Sequence, residues 1–236
     1  MLLSCAIAPA QAVERNWRGS GEVLILPFFN SLNGWDTYLN LSMLPYERGI
    51  FRLRILDGDT GRAVNGFNIY SYWSENWRAS ITQVDGGTVL RIAEGSCTLA
   101  GDGTFGGAGT EFALGADVGI VEVYAVSRRI NSSLREETCD DIAARWEPGG
   151  AWAQDPDADL RVWENSRVGG QVGLVQVQVQ SGLSAEYQAI ALSEFADDIA
   201  HTHPASGSPS LADAAPIARL ESGEAFTQTR AKVSMR

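Results

Sequence analysis

Apolar and polar side chains alternate with a period of two along much of this chain, the spacing of strands that bury one face. Leu39, Leu41 and Met43 alternate with Tyr38, Asn40 and Ser42, and Phe51, Leu53 and Ile55 alternate with Arg52 and Arg54. Both stretches are expected to turn one face inward. Trp77, Ala79 and Ile81 repeat the pattern. Val23–Phe29 reads VLILPFF, a near-continuous apolar run, so both of its faces are expected to be covered. Pro27 cannot donate to a ladder, which places this strand at an edge or gives it a bulge. The turn Asp57–Gly61 leads into a strand over Ala63–Tyr72, and Asp85-Gly86-Gly87 leads into Val89–Ala93. Val118–Val126 is a further strand. Val172–Gln180 and Ala185–Phe195 form a last pair through Ser181-Gly182, with Val175, Val177 and Val179 on one face and Gln176, Gln178 and Gln180 on the other.

One helix stands out. Ser133-Leu134-Arg135-Glu136 fits a capping box, Leu134, Ile142 and Trp146 share roughly one face, and Gly149-Gly150 stops it. Many strands, glycine turns and a single helix predict an all-β fold. We expect an antiparallel β-sandwich, immunoglobulin-like or related, over residues 20–196. The lack of crossover helices argues against a parallel α/β sheet. Residues 197–236 are rich in Ala, Ser, Pro and Asp and have no clear period. They read as a linker or a truncated C-terminal segment, lying on the sandwich or loose, whose removal beyond residue 204 leaves stability nearly unchanged. The strand Gln176–Gln180 is expected to present an open edge.

Residues 1–12 read MLLSCAIAPAQA, carry no charge and end in the small-x-small pattern of a signal-peptidase site. They read as the remnant of a signal peptide cleaved after Ala12. A lipoprotein box ending at Cys5, or a buried terminal element, is the alternative. Two cysteines then remain, Cys97 and Cys139. An even count in an exported chain implies a disulfide, against the alternative of two free buried thiols. The bond would pin the helix to the strand near Cys97 and close a loop of about 40 residues, worth roughly 4 kcal/mol in the chain-entropy account. The compartment is then periplasmic or extracellular, at the cell surface. No apolar run reaches the roughly 20 residues of a membrane span.

Composition narrows the partners. The 236 residues carry a net charge of −11, which disfavours nucleic acid and anionic membranes. The candidate chemistry is sparse. The glycine-rich stretch 100–110 lacks the spacing and the lysine of a phosphate loop. Asp57 and Asp59, and Asp155, Asp157 and Asp159, have calcium-loop spacing without the glycine and distal glutamate that complete it. His201 and His203 could share a strand face toward a metal, but no third ligand is apparent, and without a CxxC a zinc site is not expected. Glu122 interrupts an apolar strand, either as a buried acid or as the polar side of a half-exposed strand. With Asp117 it is the weak handle for a hydrolase. Among Trp73, Trp77, Trp146, Trp152 and Trp163, core packing is the plainer reading; Trp73, Trp152 and Trp163 are the candidate ligand-stacking faces. No catalytic, cofactor-binding or metal-binding residue is assigned, and no cofactor is expected.

The order of short motifs carries one resemblance. Val23-Leu24-Ile25-Leu26-Pro27, Asp36-Thr37, Phe67-Asn68-Ile69-Tyr70, Trp77 and Ser96-Cys97-Thr98 are followed by Val121-Glu122-Val123, Cys139, Trp146–Trp152, Gly169-Gly170 and Tyr187-Gln188-Ala189. Together, over about residues 20–210, they resemble a family of uncharacterised exported proteobacterial proteins. The resemblance implies export, a β-rich fold and a longer chain, and brings no activity. Three function classes follow: an exported structural or adhesive surface module without catalysis, contacting other surface proteins or glycans; a carbohydrate- or ligand-binding module using exposed tryptophans; and, last, a hydrolase. N-terminal sequencing of exported protein is expected to begin at Val13. A chain starting at a lipidated Cys5 would instead identify a lipoprotein.

Overall fold

The computed structural model describes residues 12–44, 49–71, 76–94, 97–126, 128–130, 138–158, 160–162, 169–196, 199–214 and 217–218. Its strands in chain order are β1 (Ala12–Asn16), β2 (Val23–Asn30), β3 (Trp35–Leu44), β4 (Gly49–Asp57), β5 (Ala63–Ser71), β6 (Trp77–Val84), β7 (Gly87–Glu94) and β8 (Cys97–Ala100). They continue through β9 (Phe105–Gly106), β10 (Glu111–Ala113), β11 (Val118–Val126), β12 (Arg128–Ile130), β13 (Leu160–Val162), β14 (Gly169–Gln178), β15 (Leu183–Gln188), β16 (Ile190–Ser193) and β17 (Ile217–Ala218). Two helices, α1 (Cys139–Trp146) and α2 (Ala151–Gln154), lie between β12 and β13.

Two sheets form the sandwich. One has the order β17-β1-β16-β2-β11-β4-β5-β8-β9, the other β10-β7-β6-β3-β14-β15, and β12 pairs with β13 apart from both. The pairings are antiparallel except that of β1 with β17. The predicted period-two faces build the space between the sheets. Phe51, Leu53 and Ile55 of β4, Leu39 and Leu41 of β3, and Trp77, Ala79 and Ile81 of β6 all belong to one buried cluster with Leu24, Leu26 and Phe67. Val23–Asn30 is covered as its composition requires. Pro27 sits where the register of β2 on β11 slips, Phe29 facing Gly119 and Leu26 facing Val121, so two β2 residues oppose one. On β2, β16 pairs with Val23–Ile25 and ends short of the proline.

The second face of the larger sheet departs from the sequence expectation. Arg52 and Arg54 alternate with the core residues of β4, which predicts a solvated face, yet Arg52 is only 1% exposed. The same face carries Val23, Ile50, Tyr70, Leu99, Tyr124 and Val126, and these join Ile142 of α1, Trp152 of α2, Phe195 and Ile199 in a second buried cluster. Helices and the chain after β16 thus cover the sheet's back. Residues 199–214 are packed as a strap across β4 and β5. Arg52 donates to the Pro204 carbonyl, to the Ser206 carbonyl at 2.9 Å and to Asn68 Oδ1 at 3.1 Å, while Asn68 Nδ2 donates to the Thr202 carbonyl at 2.9 Å. Burial pulls the guanidinium down to about 10, Arg54 adding to the effect, so it stays charged at neutral pH. Gly66 marks the crossing. A Cβ there would stand 2.6 Å from the Pro204 carbonyl oxygen, so only glycine lets the strap lie this close.

α1 begins later than its sequence signature suggests. Its cap is Thr138: the Asp141 N–H donates to Thr138 Oγ1, and the Thr138 N–H donates to Asp141 Oδ2 at 2.8 Å. The expected box at Ser133–Glu136 lies outside the described residues. Cys139 opens the helix and is bonded to Cys97 of β8, with Cα atoms 5.4 Å apart. The bond ties the covering layer to the sheet, as the cysteine count implied.

Deleting residues 205–236 removes the Ser206 carbonyl from Arg52 and takes Leu211 and Ala214 off the second cluster. Contrary to the sequence expectation, this deletion should cost roughly 2–4 kcal/mol, because it leaves part of a buried charge uncompensated. Thermal melts of the full and shortened chains check this. Arg52→Met in the shortened chain should restore part of the loss; an unchanged Tm on deletion would show that the strap is dispensable.

Candidate functional site

The back of the larger sheet gathers most of the side chains with chemical potential. Tyr70 stacks on Trp152 at 5.4 Å between ring centroids, and its hydroxyl accepts from Trp146 Nε1 at 2.6 Å. The His201 ring lies edge-on to both, with Nε2 3.3 Å from the Tyr70 hydroxyl and Nδ1 against the Pro156 carbonyl. Trp152 Nε1 donates to the Ala158 carbonyl at 2.8 Å. Trp152 is 0% exposed, which corrects its sequence assignment as a ligand-stacking face: the indole is the floor of a packed layer and has no face to offer. Trp73 and Trp163 lie outside the described residues. Trp77 is also core, donating to Thr98 Oγ1 at 3.1 Å.

The two histidines do not form a metal pair. His201 is buried among rings, whereas His203 accepts at Nδ1 from the Ala205 N–H at 3.2 Å. Burial, and then the nearby Arg52 charge, hold the His203 imidazole below its ordinary value. Among the described residues no three metal-ligating side chains come together. The aspartates with calcium-loop spacing serve turns. Asp57 Oδ1 accepts from the Thr60 N–H and hydroxyl, which lowers its carboxyl, and Asp155 Oδ1 accepts from the Asp157 N–H. Asp159 is outside the described residues.

Glu122 is a buried acid, 3% exposed. Its Oε2 accepts from Arg54 Nη1 at 2.9 Å and from the Tyr124 hydroxyl at 2.8 Å. Burial pushes its carboxyl up, against the opposing pull of Arg54 and Tyr124; burial and the Glu122 charge push the Tyr124 phenol up as well. Asp117, its possible hydrolytic partner, accepts from Thr88 Oγ1 at 2.5 Å, while Ser31 Oγ donates to its carbonyl at 3.0 Å. The two acids therefore serve different networks, and the geometry does not assemble the pair that a hydrolase needs.

Two open features remain. The first is a groove of about 340 Å³ lined by Ser31, Gly34, Trp35, Asp36, Gln83, Val84 and Asp85. It lies between the turn joining β2 to β3 and the turn joining β6 to β7. Asn33 and Gly34 are left-handed there, at φ 58° and 77°, conformations that asparagine and glycine reach most cheaply. They deliver Trp35 and Asp36 at the start of β3. Thr82 Oγ1 donates to Asp36 Oδ1 at 2.5 Å, and the Tyr38 hydroxyl approaches Oδ2 at 3.4 Å. Trp35 was not among the tryptophans singled out in the sequence. An Asn-Gly turn immediately before a tryptophan was the signal available.

The second feature is the free edge of the smaller sheet. β14 is hydrogen-bonded on both sides, to β3 and to β15, so the open edge is β15 rather than the glutamine strand. The two faces of β14 are as the alternation separates them, and it is the glutamine face that turns inward at its middle: Gln176 is buried opposite Thr37, while Val175 is 37% exposed beside Tyr38 at 45%. Beyond them Val179 is 60% exposed, Leu183 63% and Tyr187 38%. The chain matches no protein-family model, no curated protein and no solved structure.

The Glu122 site predicts a pH dependence of stability. Its folded pKa lies above the unfolded value, so the carboxyl is protonated in both states at low pH and the site then carries no ionisation cost. As pH rises through the carboxylate range, the unfolded chain gives up this proton first and the folded state loses ground. Melts of wild type and Glu122→Gln are expected to show wild type losing stability relative to the variant as pH rises above about 4, the ordinary carboxylate value. The opposite slope would show that Arg54 and Tyr124 outweigh burial.

Proposed function

We propose that the protein is an exported, non-catalytic surface module that associates through the β15 edge, with a second copy of itself as the occupant. One observation carries the reading. β15 is a six-residue edge strand bearing the exposed Leu183 and Tyr187, without lysine or proline; on the opposite face the exposed Val175 of β14 lies across from Glu186. Edges are normally shortened, charged or covered, because unpaired N–H and C=O groups recruit other strands. The other sheet ends among the described residues follow that rule. β9 and β17 are two residues long, and β10 is three residues long with Glu111 paired to Arg91 at 2.6 Å. β15 is the longest of them and has a single charge, Glu186.

The strand also complements itself. About a two-fold axis through Ala185, an antiparallel pair sets Leu183 opposite the second copy's Tyr187 and Ala185 opposite its equivalent. On the other face, Ser184 meets the second copy's Glu186 as a hydrogen-bond donor. Apolar pairs of this kind contribute roughly 0.2–1 kcal/mol each, and the two-fold contact uses the Leu183–Tyr187 pair twice and the Ala185 pair once. The buried acid, arginine and histidine support the non-catalytic part: Glu122 is engaged with Arg54 and Tyr124 within the sheet, and Arg52 and His201 bond backbone carbonyls of the covering layer. The Cys97–Cys139 bond supports an oxidising compartment, in keeping with the cleavage pattern at Ala12. The resemblance to exported proteobacterial proteins points the same way.

Sedimentation of the full chain is expected to show a concentration-dependent dimer. Leu183→Lys with Tyr187→Lys should give a monomer of unchanged Tm, because both side chains are exposed. A wild-type chain that stays monomeric at about 1 mM, a concentration at which even a 4 kcal/mol association would be half formed, overturns the self-pairing.

A further inference from the structure

β15 is open in a second sense. Leu183, Ala185 and Tyr187 stand opposite Gln178, Gln176 and Leu174 of β14, so they lie on the face that buries Gln176, the one turned toward the larger sheet. On that face Ala185 is half-buried, yet Leu183 and Tyr187 are 63% and 38% exposed. A further strand laid along the open edge would cover both. The opposite face of β15 presents Ser184, Glu186 and Gln188, with Glu186 as its single charge. A matching strand therefore alternates small or apolar side chains with cations.

The chain contains such a stretch. Residues 197–236 have no period as a whole, but within them Thr227, Thr229, Ala231, Val233 and Met235 alternate with Gln228, Arg230, Lys232 and Ser234. Residues 226–236 hold three cations and no acid, in a chain whose net charge is −11. The fold also directs the chain toward the edge. β17 runs parallel to β1, so Ala218 points along β1 toward Asn16, which pairs with Ala191 near the start of β16. There β16 joins β15 through Ala189 alone. The open edge of β15 hence lies on the side of the sandwich that β1 and β17 occupy. Residues 219–227 can span up to about 30 Å against the ~10 Å between packed sheets, and Ser222-Gly223 supplies a turn.

We propose that residues 228–233 pair antiparallel with β15 of their own chain and so compete with a second copy for this edge. The register that matches both faces sets Thr229 opposite Tyr187, Ala231 opposite Ala185 and Val233 opposite Leu183. Arg230 then stands opposite Glu186, and Lys232 lies diagonal to it. Apolar pairs and opposite charges directly across two strands both favour this pairing. The contact regulates the site of the proposed self-association, and rests on that reading only for what it displaces. A segment seated on about two edges in three makes the dimer about tenfold weaker, because both edges must be free at once.

The test uses the full chain, with Ala231→Pro to abolish strand pairing by the segment without touching a described strand. Hydrogen exchange of the β15 amides is followed at a concentration where sedimentation finds the monomer. Exchange is expected to be about threefold or more slower in wild type than in the variant. Arg230→Glu with Lys232→Glu should lose the same protection by setting like charge against Glu186, and adding Glu186→Arg should return it. In sedimentation, Ala231→Pro should dimerise about tenfold more tightly than wild type. Equal exchange in wild type and Ala231→Pro overturns the proposal, as does a dimer that is no tighter in the variant. Protection that fades on further dilution also overturns it, because the edge is then covered by a second copy. Protection lost in Ala231→Pro with no dimer in either chain supports the contact and overturns the self-pairing alone.

Discussion

A positive charge in the middle of a sheet sets the terms for much of this structure. Arg52 projects from β4 onto the back of the larger sheet and is almost wholly shielded from water. A guanidinium in that position needs acceptors, and among the described residues no carboxylate pairs with it. Carbonyl oxygens supply the need instead: those of Pro204 and Ser206 from the strap, with the side chain of Asn68 beside them. The strap must therefore cross the sheet at one place, and glycine at position 66 is what lets it come down. Once it is seated, Ile199 and His201 close over Tyr70, and the tryptophans of α1 and α2 fill the remaining space. The disulfide to β8 keeps the helical part of this cover beside the part that the arginine anchors.

That arrangement explains why the sequence was informative about one face of the larger sheet and silent about the other. Alternation identifies a core when the opposite positions are polar and wet. On β4 the core side, Phe51, Leu53 and Ile55, was legible for that reason. Arg52 was not, because an arginine on a solvated face and an arginine capped by distant carbonyls look identical in a period-two pattern. The acceptors lie 152 and 154 residues further along, in a stretch without periodicity. Of the strap, the sequence offered a segment lying on the sandwich or a loose tail and could not choose between them on the same ground: its attachment is made largely by backbone carbonyls, which leave no trace in composition. The glutamines and valines of β14 posed a related problem. Their alternation was plain, but the face that turns inward is set by pairing with β3, and it buries Gln176 and exposes Val175.

The candidate chemistry divides along the same line. Residues that attract notice in a sequence prove to be buried and engaged, Glu122 within the larger sheet and His201 and Trp152 in its cover. Glu122 neutralises Arg54 and orients Tyr124; His201 and Trp152 pack on Tyr70. Their unusual environments follow from burial, and burial here serves the second layer of the fold. The features open to a partner are less conspicuous in sequence: an edge strand of ordinary residues and a tryptophan delivered by an Asn-Gly turn. Both lie on or beside the smaller sheet, whose back carries no cover among the described residues.

The asymmetry between the sheets is thus the physical basis for where function can reside. The larger sheet is buried on two sides and tied by an ion pair, a disulfide and a strap, so a ligand could reach it only by displacing groups that have no other means of satisfaction. The smaller sheet has a free edge and an open end, and its interior contacts are made already by the facing core. Changes on its outer surface need not disturb that core, because alternate residues of β3 and β14 point away from it. A surface that can vary without loss of stability is the surface on which recognition can be tuned. In this chain the β15 edge and the turn that carries Trp35 have that freedom, and the buried Glu122 and His201 do not.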